Sequence, residues 1–190
     1  MRVLGISGSL RRDSHNTALL QAATELLPPD AELVLYDDLK NVPPYDQDDD
    51  VEPAPAAVGE LRRAVAEADA VLFATPEYNS SVPGAHKNAL DWASRPLATN
   101  VFRNKPVAVI GSSAGMFGAV WAQAELRKVL AAMGARIAEV EVAIGHANEK
   151  LVDGQLVDEE TRVEVRDAIE TLVDATRQAQ AAANPLPAAV

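Results

Sequence analysis

Ser7, Ser9, Ser14 and Thr17 crowd the start of this chain, together with the amide of Asn16 and the guanidinium groups of Arg11 and Arg12. They follow an apolar run, Val3-Leu4-Gly5-Ile6, and lead into a helical pattern that opens at Asn16. Hydroxyls, cations and the free N–H groups of a helix start are what an anion needs. Gly8 between the two serines lets the backbone approach a ligand. No Lys-Ser or Lys-Thr pair follows, so this is not a Walker A loop, and the Gly-x-Gly-x-x-Gly spacing of a dinucleotide loop is absent. The residues suit a monophosphate. The competing reading is a serine-rich turn with an ordinary N-cap.

Two further segments carry chemistry. Ala70–Thr75 runs into Pro76-Glu77-Tyr78-Asn79-Ser80-Ser81-Val82-Pro83-Gly84 and then into a helix. A rigid proline, an aromatic ring, a carboxylate and an amide suit the polar edge of a flat heterocycle. Glu77 has the alternatives of a general base or a structural acceptor near a helix start, and the second is favoured. Val107–Ile110 leads into Gly111-Ser112-Ser113-Ala114-Gly115, whose glycines permit close approach to a ring. A plain turn into a helix is the alternative there. Lys87 reads as a surface lysine, and Trp92 as a residue of the core or of a subunit contact.

The elements that position these loops alternate. Strands are expected near 2–6, 31–36, 70–75, 105–111 and 136–144. Helices are expected near 16–27, 56–68, 84–94, 117–133 and 158–179. Five alternations imply an α/β three-layer sandwich, a five-stranded parallel sheet with helices on both faces. The first, third and fourth strands are nearly all apolar and belong at the centre. The second and fifth are more polar and belong at the edges. That is the flavodoxin-like order 2-1-3-4-5, whose ligand binds at the switch between strands one and three. The first two loops lie at that switch.

Here the residues carry a resemblance. Gly8-Ser9-Leu10-Arg11 with Ser14 and Asn16, then Pro76-Glu77-Tyr78-Asn79, Ser81-Val82-Pro83-Gly84 and Lys87-Asn88-Ala89-Leu90-Asp91-Trp92, resemble the NADPH-dependent FMN reductase family, in its bacterial chromate and quinone reductase branch. The likeness continues through Val42-Pro43-Pro44-Tyr45-Asp46, Gly111–Gly115 and Leu126–Leu130, and spans roughly residues 1–175. It implies an oxidoreductase that binds FMN. NADPH or NADH serves as co-substrate, and a small acceptor (a quinone, a flavin, an azo compound or chromate) takes the electrons. Ser9, Arg11, Ser14, Asn16 and Thr17 are expected at the phosphate, with the Asn16 side chain donating to it. Pro76, Glu77, Tyr78 and Asn79 are expected along the ring, and Ser112, Ser113 and Gly115 opposite. No catalytic side chain is assigned. An electron carrier of flavodoxin type and a non-flavin nucleotide-binding module are the alternatives. The resemblance also implies a homodimer that can pair into a tetramer. Trp121 stands where such relatives often carry an arginine on the tetramer helix, and Ala124 where a larger polar residue is common.

Composition narrows the rest. With 190 residues the chain is read as one domain over 1–180, with a frayed tail at 181–190. A net charge of −11 argues against nucleic acid and anionic membrane surfaces as partners. The absence of cysteine removes disulfides, thiolate catalysis and iron–sulfur ligation. His15, His86 and His146 show no metal-ligand spacing. No secretion-signal pattern opens the sequence, and no apolar run approaches the ~18 residues of a membrane span, so a cytoplasmic protein is expected. The acidic stretch from Asp37 to Glu52 reads as a solvated loop, since calcium-loop spacing is missing. Pro43-Pro44-Tyr45 within it reads as a contact element against a second subunit.

Overall fold

The computed structural model describes residues 1–183. In chain order the main elements are β1 (Arg2–Ser7), α1 (His15–Thr24), β2 (Glu32–Tyr36), α2 (Ala56–Glu67), β3 (Ala70–Thr75) and α3 (Gly84–Ala93). They continue with β4 (Pro106–Ser112), α4 (Val120–Ala132), β5 (Arg136–Ile137), β6 (Ala143–Ile144), α5 (Ala147–Lys150), β7 (Leu151–Val152), β8 (Gln155–Leu156) and α6 (Glu159–Ala183). The strands of the main sheet are parallel in the order β2-β1-β3-β4-β5, as the apolar runs required.

Each central strand sends alternate side chains to opposite faces, and both faces are covered. Val3, Leu72, Ala108 and Ile110 pack with Leu19, Leu20, Ile169 and Leu172 under α1 and α6. Leu4, Ile6, Val71, Phe73 and Val109 pack with Leu61, Leu90, Trp92 and Leu126 under α2, α3 and α4. Burial on both sides is why these strands are continuously apolar rather than alternating.

Two expectations are corrected. The strand expected over 136–144 is two strands. β5 pairs with the start of β4 at Pro106 and Val107, and β6 with its end at Gly111 and Ser112. Between them the chain leaves the ladder, and the Val140 N–H donates to the Ala138 carbonyl at 2.9 Å. Buried Gln123 secures the break, donating from Nε2 to the Val142 and Gly118 carbonyls, both at 3.0 Å.

The frayed tail expected from 181 is also revised. α6 continues through Ala183, consistent with the helix propensity of its closing alanines. Residues 184–190 lie outside the described residues.

Trp92 lies in the core, one of the two places expected for it, and packs against Tyr45. Trp92 is fully buried, its Nε1 donates to the Pro43 carbonyl at 2.8 Å, and its ring meets the edge of Tyr45 at 5.0 Å. Asn88 completes the seam. Its Nδ2 donates to the Pro43 carbonyl at 2.8 Å, and the Tyr45 N–H donates to its Oδ1 at 2.7 Å. Pro43 and Tyr45 are thus half-buried against α3 of the same chain, while Pro44 is exposed.

Candidate active site

The loops after β1, β3 and β4 meet at the carboxyl edge of the sheet. Ser14 caps α1 by accepting from the Thr17 N–H at 3.2 Å. Helix geometry leaves the N–H groups of His15 and Asn16 without intrahelical acceptors, so the positive end of α1 faces this edge. The Gly8 N–H donates to the Ala74 carbonyl at 2.8 Å, holding the first loop down on β3. A side chain at Gly8 has no room: its Cβ would lie 2.3 Å from Nδ1 of His86. His86 is fully buried beside Phe73, and neither ring nitrogen has a hydrogen-bond partner among the described residues. Burial pushes its pKa down to about 4, so the ring is neutral beneath the loop.

The second loop turns at once. Asn79 and Ser80 both have positive φ, 54° and 59°, and Tyr78 and Ser81 exchange backbone hydrogen bonds at 3.2 and 3.1 Å across them. A two-residue turn of this type matches strand twist, and Asn tolerates its left-handed conformation. The loop and α4 grip each other. Glu77 Oε2 accepts from the Trp121 and Ala122 N–H groups at 3.0 Å, filling the anion position at the start of α4. Glu125 of α4 accepts from the Ser81 hydroxyl at 2.5 Å and the Val82 N–H at 3.2 Å. Glu77 is therefore a structural acceptor.

The third loop is anchored by β6. The Ser113 N–H donates to the Ile144 carbonyl and the His146 N–H to the Gly115 carbonyl, each at 3.0 Å. Gly118, with φ +57°, lies so close to Ala143 that its Cβ would sit 2.1 Å from the Ala143 carbonyl carbon. Glycine is required there on both counts.

One cleft of about 290 Å³ is lined by Ser9, Arg11, Ser14, Asn16, Pro76, Glu77, Tyr78, Ser112 and Ser113, and also by His15 and Ala114, which sequence reasoning did not single out. Burial, then the nearby Arg11 charge, lower the pKa of His15. Three residues expected in the cleft do not line it. Thr17 turns its hydroxyl back to donate to Ser7 Oγ at 3.0 Å. Asn79 is taken up by its turn and points to solvent. Gly115 is exposed beyond the rim. Asn16 does line the cleft, and its side chain is bonded across to Ser112. Nδ2 donates to the Ser112 carbonyl and Oδ1 accepts from the Ser112 N–H, both at 3.0 Å. One Nδ2 hydrogen and the backbone N–H of Asn16 are left for a ligand.

The donor set fits a flavin mononucleotide. Hydroxyls, a guanidinium and a helix start converge at one end of the cleft. A proline and backbone polar groups line its middle. The buried Ser112 hydroxyl has no hydrogen-bond partner among the described residues and lies at the cleft wall. An unsatisfied buried hydroxyl at a binding surface is what a ligand with a polar edge would complete.

A parallel sheet of this order, with its cleft at the β1/β3 switch, defines a flavodoxin-like protein. Residues 1–149 match the NADPH-dependent FMN reductase family, and the chain belongs to it. It is 42% identical over 174 residues to an NAD(P)H-dependent FMN reductase of Pseudomonas aeruginosa, covering 90% of this chain and 93% of that one. It is 40% identical over 164 residues to a 2-hydroxy-1,4-benzoquinone reductase of a Burkholderia species, covering 85% and 88%. Among solved structures, the flavoenzyme NAD(P)H:(acceptor) oxidoreductase of Paracoccus denitrificans superposes with a TM-score of 0.84 at 37% identity, covering 93% of this chain and 97% of that chain. The chain is thus an oxidoreductase of a family that uses FMN and NAD(P)H. Among the described residues, no helix is long and apolar enough to cross a membrane.

Proposed function

We propose that this protein is an NAD(P)H:quinone oxidoreductase whose single domain carries electrons through FMN to a small quinone. The observation that carries the reading is the cleft at the β1/β3 switch, where Ser9, Arg11 and Ser14 meet Pro76, Tyr78 and Ser112. The relatives named as quinone reductases support the acceptor class.

Bound FMN supplies hydride acceptance from a nicotinamide and return of the electrons to a second substrate. The chain's residues bind and orient. Arg11, Ser9, Ser14 and the first N–H groups of α1 hold the phosphate. Pro76 and Tyr78 lie along the ring, with the Ser112 hydroxyl opposite. The Glu77–α4 bonds keep the second loop in place. No side chain is assigned a proton-transfer role, because positioning two stacked reactants lowers the barrier by itself.

The assembly is proposed as a homodimer. Tyr78, Met116, Phe117 and Trp121 are 52%, 66%, 56% and 48% exposed, and the Phe117 and Trp121 rings pair at 4.9 Å. Tyr78 is also a wall of the cleft. A second copy placed over this group would exclude water from the site. The cytoplasm is proposed as its compartment, in keeping with its NAD(P)H-dependent family.

An anaerobic titration of the FMN-loaded protein with NADPH tests the reading. NADPH alone should bleach the flavin, and benzoquinone should restore it. A flavin that stays oxidised until a protein partner is added would make the chain an electron carrier instead.

A further inference from the structure

His15 is the first residue of α1, directly after the Ser14 cap. It lines the phosphate end of the cleft with Ser9, Arg11, Ser14 and Asn16. On its other side it borders an open groove shared with Asp13, Gln21 and Asp153, so the half-buried ring stays within reach of water. Neither His15 nor Arg11 forms an ion pair among the described residues. Two groups able to carry positive charge thus flank one end of the cleft, with no carboxylate paired to either.

The two differ in what they carry. A guanidinium is always charged. The imidazole is not: burial, and then the Arg11 charge, hold its pKa below the ordinary 6.5, so at neutral pH most of the ring is uncharged. The charged groups around it do not all push the same way. Arg11 and Arg12, on the first loop, oppose its protonation. Asp13 on the same loop, Glu77 across the cleft and Asp153 at the turn between β7 and β8 favour it. A phosphate dianion beside Arg11 and His15 tips the balance, because it offsets the guanidinium charge and attracts a proton to the imidazole. An opposite charge within about 4–6 Å favours the protonated ring strongly enough to carry its pKa past neutrality.

We propose that His15 is a ligand of the flavin phosphate that comes into play on binding: neutral in the flavin-free protein, it takes a proton from water as the dianion arrives and then donates to it beside Arg11. The inference rests on the placement of the phosphate at Ser9, Arg11 and Ser14. Flavin uptake is thereby coupled to proton uptake. The affinity gained through the ring is full below the His15 pKa of the free protein and is lost as pH rises through that of the complex. The second ionisation of the phosphate, near pH ~6, works the other way, since a monoanion is held less well.

Fluorescence titration of the flavin-free protein with FMN between about pH 6.5 and about pH 8.5 tests this without turnover; carboxylates and guanidinium groups keep their charge across that window. The wild-type Kd should fall roughly tenfold as the pH is lowered. His15→Phe should match the wild type within a few-fold at the alkaline end, bind roughly tenfold more weakly at the acid end, and no longer tighten as the pH falls. His15→Arg should bind tightly throughout with no such slope, because its charge is permanent. Riboflavin, which lacks the phosphate, should bind far more weakly and without this pH dependence. Calorimetry in buffers of different ionisation heat should find a proton uptake with FMN that His15→Arg abolishes. A His15→Phe variant that keeps the wild-type slope, or a slope equally present with riboflavin, overturns the proposal. Arg11→Ala separates it from the phosphate placement. If Arg11→Ala weakens FMN and His15→Phe does not, the phosphate stays at this end of the cleft and His15 is no ligand. If neither variant weakens FMN, the phosphate lies elsewhere and the proposal falls with its placement.

Discussion

Asn16 and Ser112 are bonded to each other twice, side-chain amide to backbone, at 3.0 Å in both directions and with both residues buried. The pair joins the first turn of α1 to the last residue of β4. It sets the distance between the loop that offers the phosphate contacts and the loop that closes the opposite wall.

Replacing Asn16 by alanine strands the N–H and the carbonyl of Ser112 away from water. Each unsatisfied group costs about 1–3 kcal/mol, so flavin-free Asn16→Ala should lose roughly 2–5 kcal/mol. For a domain of this size its Tm should fall by about 5–15 °C, read by calorimetry. An unchanged Tm would mean the bracket contributes nothing to the fold.

Glu77 separates two roles by one atom. Glu77→Gln retains an oxygen acceptor for the start of α4 and should keep kcat within a few-fold. Glu77→Ala removes the anion at the helix start and should cost about 0.5–2 kcal/mol of stability. A general base is worth about 10²–10⁴ in rate, so a hundredfold fall in kcat for Glu77→Gln would restore the base reading.

Gly8 and His86 are matched in shape. Gly8→Ala puts a methyl 2.3 Å from the imidazole Nδ1, and overpacking of this kind costs about 1–3 kcal/mol. Flavin affinity should fall with it, because the first loop must lift off Ala74. His86→Ala in the same chain should restore part of both losses in a double-mutant cycle. Additive effects would show that the contact does not set the loop's height.

The same histidine should make stability pH-dependent. Its pKa is pushed down to about 4 in the fold and returns to about 6.5 in the unfolded chain. Between those values the unfolded chain binds a proton that the folded one does not. Stability is therefore full above pH 6.5 and is lost as pH falls toward 4, by roughly 3 kcal/mol in all. Urea unfolding across this window should show the slope, and His86→Leu should flatten its histidine part. A variant with the wild-type slope would locate the titration elsewhere.

Phe117 and Trp121 should matter to assembly. Changing both to serine should shift the mass seen by light scattering from dimer toward monomer and weaken turnover more than flavin binding, since aromatic anchors often carry 2 kcal/mol or more of an interface. A wild-type protein that is fully active as a monomer refutes the dimer.

Much of this was legible in the residues, and the remainder has a common cause. The first four strands fall within a residue of their expected limits, because two-sided burial writes an uninterrupted apolar run. The break in the last strand left no mark, since its polar alternation at Glu139 and Glu141 reads as an ordinary edge. Gln123, lying on another element, makes it. The bonds of Asn16 to Ser112 and of Trp92 to Pro43 were not legible for the same reason: those partners are far away in sequence. The β7–β8 hairpin is different. Asp153-Gly154 between Leu151-Val152 and Gln155-Leu156 is a recognisable two-residue turn signal, with φ of 49° and 79° at its centre, and it was available to be read.

The divided fifth strand also bears on how the molecule keeps to itself. A sheet that ends in a long regular strand offers a free ladder on which another chain can build, the first step toward fibrils. Here that margin is cut into two pieces, Arg136–Ile137 and Ala143–Ile144, of two residues each. Neither gives an intruding strand enough consecutive N–H and C=O groups to grip. The detour that seats the third loop also blunts the sheet's border against misassembly, so straightening it into one continuous strand would trade solubility for regularity.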